Sequence, residues 1–239
     1  MGGFPTTEHT YKQFDAELES IRSQVLQMGG LVESQIQRAL EGFTEGMPDL
    51  LDEVIADDAK VNTLEVAIDE DCALIIARRQ PAAIDLRIVM TVIKTITDLE
   101  RIGDEAEKIA RNAKLFLESG KVKTIRLAEI RHAADLATDM LRDALDAFAR
   151  LDVLAALEVV KQDERVDVEF RSILRQLITF MMEDPRTIST SLEILFIAKA
   201  IERIGDHAKN MAEYVIYLVK GKDVRHVSIE EIEREAMKP

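Results

Sequence analysis

Apolar residues recur along this chain at intervals of three and four, through stretches of about 30 residues, and no segment alternates strictly enough for a β-strand. The breaks between stretches are short and polar: "ESGKVKT" (Glu118 to Thr124), "RLD" (Arg150 to Asp152) and "KGKD" (Lys220 to Asp223). Pro48, Pro81 and Pro185 each open a new stretch. Proline is tolerated in the first turn of a helix and costs about 3 kcal/mol inside one, so these positions mark starts. Asp184, just before Pro185, is a good N-cap candidate. The pattern predicts an all-α fold with six helices over 12–44, 48–79, 82–118, 124–149, 152–183 and 185–220. At about 1.5 Å per residue such helices reach about 45 Å, the length of elongated antiparallel bundles. Residues before 12 and after 222 are polar and charged and are expected to fray.

The pattern also occurs twice. "ALEGF" (Ala39 to Phe43) lines up with "ALDAF" (Ala144 to Phe148), and in the same register Glu53, Val54, Asp58 and Val61 meet Glu158, Val159, Asp163 and Val166. Pro81 is matched by Pro185, and the pentapeptide "ERIGD" stands at both Glu100–Asp104 and Glu202–Asp206. The organisation inferred is an N-terminal tail (1–11), a three-helix bundle (12–119), a second, homologous three-helix bundle (124–221) and a C-terminal tail (222–239).

The doubled pentapeptide carries the chemistry. Residues i and i+4 of a helix lie about 40° apart, so Glu100 with Asp104, and Glu202 with Asp206, share one face. Unpaired, such like charges cost about 0.2–0.5 kcal/mol, and the glycine between them up to about 1 kcal/mol relative to alanine. Beside the acids runs a stripe of Val92, Ile96, Leu99, Gly103, Ala106 and Ala110, echoed by Ile201, Gly205, Ala208 and Ala212. Its small residues form a groove in which a neighbouring helix can pack unusually close. The helix expected there carries its own oxygen pairs, Asp163 and Asp167 in the second unit and Asp58 and Asn62 at the aligned positions of the first. Oxygens converging from two helices suit a hard cation. Zinc is disfavoured, because no histidine or cysteine accompanies these positions and His207 points away from Glu202. The competing reading is a solvated salt-bridge face, in which Arg101 and Arg203 reach Asp104 and Asp206, Lys108 reaches Asp104 and Lys209 reaches Asp206.

Composition narrows the rest. A formal charge of -14 repels phosphate backbones and anionic lipid, so nucleic acid is an unexpected partner. Cys72 is the single cysteine, which rules out an intrachain disulfide and suits a reducing cytoplasm; within "DCALIIA" it reads as a buried, inert thiol. No apolar run reaches the roughly 18 residues needed to span a bilayer, and the N-terminus lacks a signal-peptide pattern, so a cytoplasmic protein without membrane insertion is expected. "MGGFPT" matches the loose myristoylation pattern by its spacing alone. Glu129 and His132 form a single Glu-x-x-His, whereas di-iron chemistry needs two, and "KVKTIR" (Lys121 to Arg126) reads as solvated. With no phosphate loop, nucleophile elbow or Cys/His cluster, a non-enzymatic protein is expected.

"RQPAAIDLRIVMTVIKTITDLERIGDEAEKIARNAK" and "FMMEDPRTISTSLEILFIAKAIERIGDHAKNMAEYVIYLVKGKDVRH" resemble the two signature halves of the bacterial PhoU family of phosphate-specific transport system accessory proteins, a likeness running from about residue 10 to 228. The resemblance implies two tandem three-helix bundles, often dimeric, whose Glu/Asp-x-x-x-Asp motifs hold metal ions, variously iron, zinc, manganese or magnesium; the oxygen-only donor set puts magnesium, manganese or iron ahead of zinc. It implies metal roles for Asp58, Glu100, Asp104, Asp163, Asp167, Glu202 and Asp206. Asn62 departs from the acidic motif and weakens the first site, although its amide oxygen can still ligate a hard cation. It further implies a negative regulator of the phosphate-starvation response and of phosphate uptake, a cytoplasmic adaptor between the phosphate ABC transporter, through its ATPase subunit, and a sensor histidine kinase. Two other classes fit the residues less well: a carboxylate-bridged metal oxidase and a metal-free helical scaffold.

Overall fold

The computed structural model describes residues 12–119 and 127–237. Six long helices follow one another: α1 (Lys12–Glu45), α2 (Pro48–Arg79), α3 (Ala83–Glu118), α4 (Leu127–Arg150), α5 (Val153–Glu183) and α6 (Ile188–Lys220). A seventh, α7 (Ile229–Ala236), closes the chain. Among the described residues there is no strand. "MGGFPT" and "KVKTIR" lie outside the described residues.

The punctuation of the sequence sets most boundaries. Pro48 sits in the first turn of α2, and the Asp152 carboxylate caps α5 by accepting from the backbone N–H of Leu154 and Ala155. Asp184 accepts from the Arg186 N–H, as an N-cap should, but Pro185–Thr187 forms one 3-10 turn and α6 proper begins at Ile188 rather than 185. Helix α3 begins at Ala83, one residue past the expected start. Gly221, with φ +71°, ends α6 by donating its N–H to the Tyr217 carbonyl, a left-handed closure that glycine adopts without penalty.

The expectation that everything beyond 222 frays needs correction. Within that acidic segment Ile229, Ile232 and Ala236 fall on one helical face, and Ile232 and Ala236 are buried. Ser228 caps the helix by accepting from the Glu231 N–H, and ion pairs Lys161–Glu233 (2.8 Å) and Lys222–Glu235 (3.1 Å) fasten it to α5 and to the segment leaving α6.

Helices α1, α2 and α3 pack on one another, as do α4, α5 and α6, and the most extensive contact of all is between α3 and α6. These two run antiparallel: the Lys94 ammonium lies over Tyr214 and Tyr217, Asp98 meets His207 (2.6 Å) and Asn210 (3.2 Å), and Glu105 accepts from Arg203 (2.9 Å). Asp98 and Glu105 are buried, so this polar seam fixes the register of the two bundles. A second contact joins α1 to α4, where Gly29 leaves room for Leu145.

Candidate metal centre

Each "ERIGD" glycine receives a valine from the preceding helix. A β-carbon placed on Gly103 would stand 3.3 Å from Val61, and one on Gly205 would stand 3.5 Å from Val166. Val61 and Val166 are fully buried and are aligned residues of the two units, so the close approach of α2 to α3 is repeated by α5 on α6. Because Val61 is flanked by Asp58 and Asn62, and Val166 by Asp163 and Asp167, docking the valine against the glycine delivers both oxygen pairs beside the pentapeptide acids. The glycine, which weakens the helix, is thereby explained by the neighbour it admits.

In the first cluster Asn62 donates to Asp58 Oδ2 (3.0 Å), while Asp58 Oδ1 and Asn62 Oδ1 are buried with no hydrogen-bond partner. Burial, then the charges of Glu107 and Asp104, raises the Asp58 carboxyl above its usual range. Glu100 is raised by burial and by Asp104, with Arg101 opposing, and then by Glu65 and Asp58. Glu65 is itself raised by burial and by Asp69, and Asp104 adds to the shift. The structure thus brings Asp58, Asn62, Glu100 and Asp104 together as the sequence suggests and adds Glu65 and Glu107, which sequence reasoning missed. A signal was present: Asp58, Asn62, Glu65 and Glu100, Asp104, Glu107 both follow an i, i+4, i+7 spacing that keeps all three on one face.

The second cluster gathers Asp163, Asp167, Glu202 and Asp206. Burial, then Glu202 and Asp163, pushes the Asp206 carboxyl up to about 6. This cluster brings its own cations: Lys209 Nζ lies 2.6 Å from Asp163, and Lys199 Nζ lies 2.5 Å from Glu202. The salt-bridge partners differ from those expected within each helix. Lys209 crosses to α5, Arg203 crosses to Glu105 on α3, and Lys108 pairs with Glu105 (2.9 Å), whereas Arg101 does stand near Asp104 at 3.6 Å.

Among the described residues, no three His, Cys, Asp or Glu side chains are drawn tightly enough to form a metal-ligand group. The donor set nonetheless fits a hard cation in kind: carboxylate and amide oxygens, mutually repelling, with buried oxygens left unpartnered in the first cluster. Glu129 accepts from Gln176 and His132 is exposed, so that pair joins neither cluster. His207 turns to Asp98, away from Glu202. Cys72 is fully buried and its thiol is pushed up to about 12 by burial and by Asp69 and Asp71, which makes it inert.

A family model described as the PhoU domain matches twice, over residues 25–113 and 130–215. This chain belongs to the PhoU family. The "Phosphate-specific transport system accessory protein PhoU" of Escherichia coli (strain K12) is 48% identical over 236 residues, covering 98% of this chain and 96% of that protein. The PhoU homolog of that name from Pseudomonas putida is 48% identical over 229 residues, 96% of this chain and 89% of its own length. The crystal structure of PhoU from Pseudomonas aeruginosa superposes with a TM-score of 0.85 at 48% identity, covering 88% of this chain and all of that one. The phosphate transport system regulatory protein PhoU from Streptococcus pneumoniae superposes with a TM-score of 0.82 at 29% identity, covering 89% and 99% of the two chains. The two clusters therefore lie at matching places in two PhoU domains of a phosphate-transport accessory family, and no described helix is long and apolar enough to cross a membrane.

Proposed function

We propose that this protein is a cation-binding, non-catalytic regulator of phosphate uptake. It acts as a cytoplasmic homodimer and a negative regulator of the phosphate-starvation response, linking the ATPase subunit of the phosphate ABC transporter to a sensor histidine kinase. The phosphate role is supported by relatives that are about half identical over nearly the whole chain and carry the name of phosphate-specific transport accessory proteins. The cation-binding reading is supported by the duplicated valine-in-glycine contact, beside which lie Asp58, Asn62, Glu100 and Asp104 in one bundle and Asp163, Asp167, Glu202 and Asp206 in the other, with the carboxyls of Asp58, Glu100 and Asp206 raised by burial and by their acidic neighbours.

A bound magnesium, manganese or iron ion would neutralise each cluster without proton uptake. The chain's own residues do the remainder. Val61 and Val166 fix the spacing of facing helices, the carboxylates cross-link α2 to α3 and α5 to α6, and the seam of Asp98, His207, Glu105 and Arg203 ties the two bundles into one body. The outer helix faces would then be held as a rigid docking surface.

The test is co-purification of the transporter ATPase subunit and the kinase with the parent and with a variant altered in both clusters, Glu100→Gln/Asp104→Asn/Glu202→Gln/Asp206→Asn, each with and without added manganese. Manganese should strengthen capture by the parent and have little effect on the variant. Equal capture in all four samples would contradict a role for the cation.

A metal-free scaffold is favoured by one observation, the pairing of two of the second cluster's four carboxylates with Lys199 and Lys209. Under that reading the isosteric variant changes neither metal content nor capture.

A further inference from the structure

Gln35, on α1, is fully buried, and neither Nε2 nor Oε1 has a hydrogen-bond partner. Its Oε1 lies 3.4 Å from where a β-carbon on Gly103 would stand, and Asp58 Oδ1 lies 3.5 Å from the same point. Both oxygens thus converge on the α-carbon face of the first "ERIGD" glycine, and both lack partners. A buried amide with two idle polar atoms is costly unless an ion or its hydration shell meets them.

The second unit has no such residue. In the alignment set by "ALEGF" and "ALDAF", Gln35 corresponds to Met140, which is buried and apolar. The same register sets Glu65 against Phe170, and that of the pentapeptides sets Glu107 against Lys209. The first cluster therefore adds a buried amide and two carboxylates, and the second replaces them with two apolar side chains and an ammonium already bonded to Asp163.

We infer that the two cation sites are unequal: the first-unit site is built from three helices, with Gln35 of α1 completing it alongside Asp58, Asn62, Glu100 and Asp104, and it fills with a hard divalent cation before the second, where Lys209 holds the cation's place. This inference rests on the cation-binding reading. It reverses the ranking that Asn62 alone suggests, since Glu65 restores the missing charge, while Glu107 is held by Arg111 (2.5 Å) and adds its second oxygen at the edge.

The test is a manganese titration of the full chain after stripping with EDTA, followed by electron paramagnetic resonance and thermal melting. The parent should show a tight class of site and a weaker one. Gln35→Met, which installs the residue of the second unit, should weaken the tight class about tenfold, as losing a supporting group around a metal typically does. It should also raise the melting temperature of the stripped protein, because an idle buried amide is removed, and shrink the rise caused by manganese. Lys209→Glu should strengthen the weak class. If Gln35→Met does not fold, Glu65→Gln/Glu107→Gln, at two half-buried positions, should likewise weaken the tight class.

The inference is overturned if Gln35→Met leaves the tight class intact and lowers the melting temperature of the stripped protein, or if Glu202→Gln/Asp206→Asn abolishes the tight class. A parent that binds no manganese at all removes the cation-binding reading itself. Binding by the parent that these variants do not alter overturns only the inequality.

Discussion

The two pentapeptide glycines should respond differently to the same substitution. A methyl group on Gly205 would find Val166 at 3.5–3.6 Å, ordinary van der Waals contact, so Gly205→Ala meets no clash. It gains the helix propensity of alanine over glycine, up to about 1 kcal/mol. In a domain of this size that corresponds to a rise in melting temperature of about 2–4 °C. A methyl group on Gly103 would meet Val61 at 3.3 Å, close enough that the valine must give by a few tenths of an ångström, and would sit against the two partnerless oxygens of Gln35 and Asp58. Val61 is fully buried and has little space to yield, so overpacking of about 1 kcal/mol or more cancels the propensity gain. Gly103→Ala should therefore be neutral to destabilising and should lower manganese affinity by crowding the Gln35 and Asp58 oxygens. The assay is paired thermal and urea denaturation of both variants in chelator and in manganese. Equal stabilisation by both substitutions would refute the claim that Gly103 is kept for space, and destabilisation by Gly205→Ala would refute the distances on which the argument rests.

Other outcomes follow from the same contacts. Burial pushes the Glu213 carboxyl up to about 7 against the opposing charge of Lys209. A carboxyl raised in the folded state disfavours folding progressively as pH climbs from its unfolded value of about 4.5 through 7, by at most about 3 kcal/mol, so Glu213→Gln should stabilise the protein above neutrality and flatten the pH dependence of its urea midpoint. Asp98→Ala leaves His207 and Asn210 without their partner in the α3–α6 seam and should cost about 1–3 kcal/mol in urea unfolding. The Cys72 thiol should resist a thiol reagent in the native protein and react at once in denaturant, and rapid native labelling would contradict its burial.

The helices were legible because long apolar stripes and prolines at first turns leave few alternatives, and Pro48 and Asp184 act where the pattern places them. The glycine groove was legible because a helix breaker repeated beside small residues has few explanations, and Val61 with Val166 fills it. Partnership across helices was harder to read. Lys209 sits three residues from Asp206 in sequence but bonds Asp163 on another helix, and Arg203 chooses Glu105 on α3, because long cationic side chains reach across a packed interface as easily as along one helix. Gln35 was invisible for a related reason: on α1 it occupies a core position like any apolar residue, and only the packing of the bundle brings it against Gly103. Helix α7 was missed because its apolar face holds only Ile229, Ile232 and Ala236 within an acidic stretch, too little pattern to stand out before its ion pair with Lys161 is seen.

The most direct test of the cation-binding account is elemental analysis of protein purified without chelator, comparing the parent with Glu100→Gln/Asp104→Asn and with Glu202→Gln/Asp206→Asn. The account predicts bound magnesium, manganese or iron in the parent, loss of the larger share in the first variant and of a smaller share in the second. A parent free of metal, with both variants melting higher once the like charges are removed, would contradict it and leave the doubled pentapeptide as a packing motif with a solvated acidic edge.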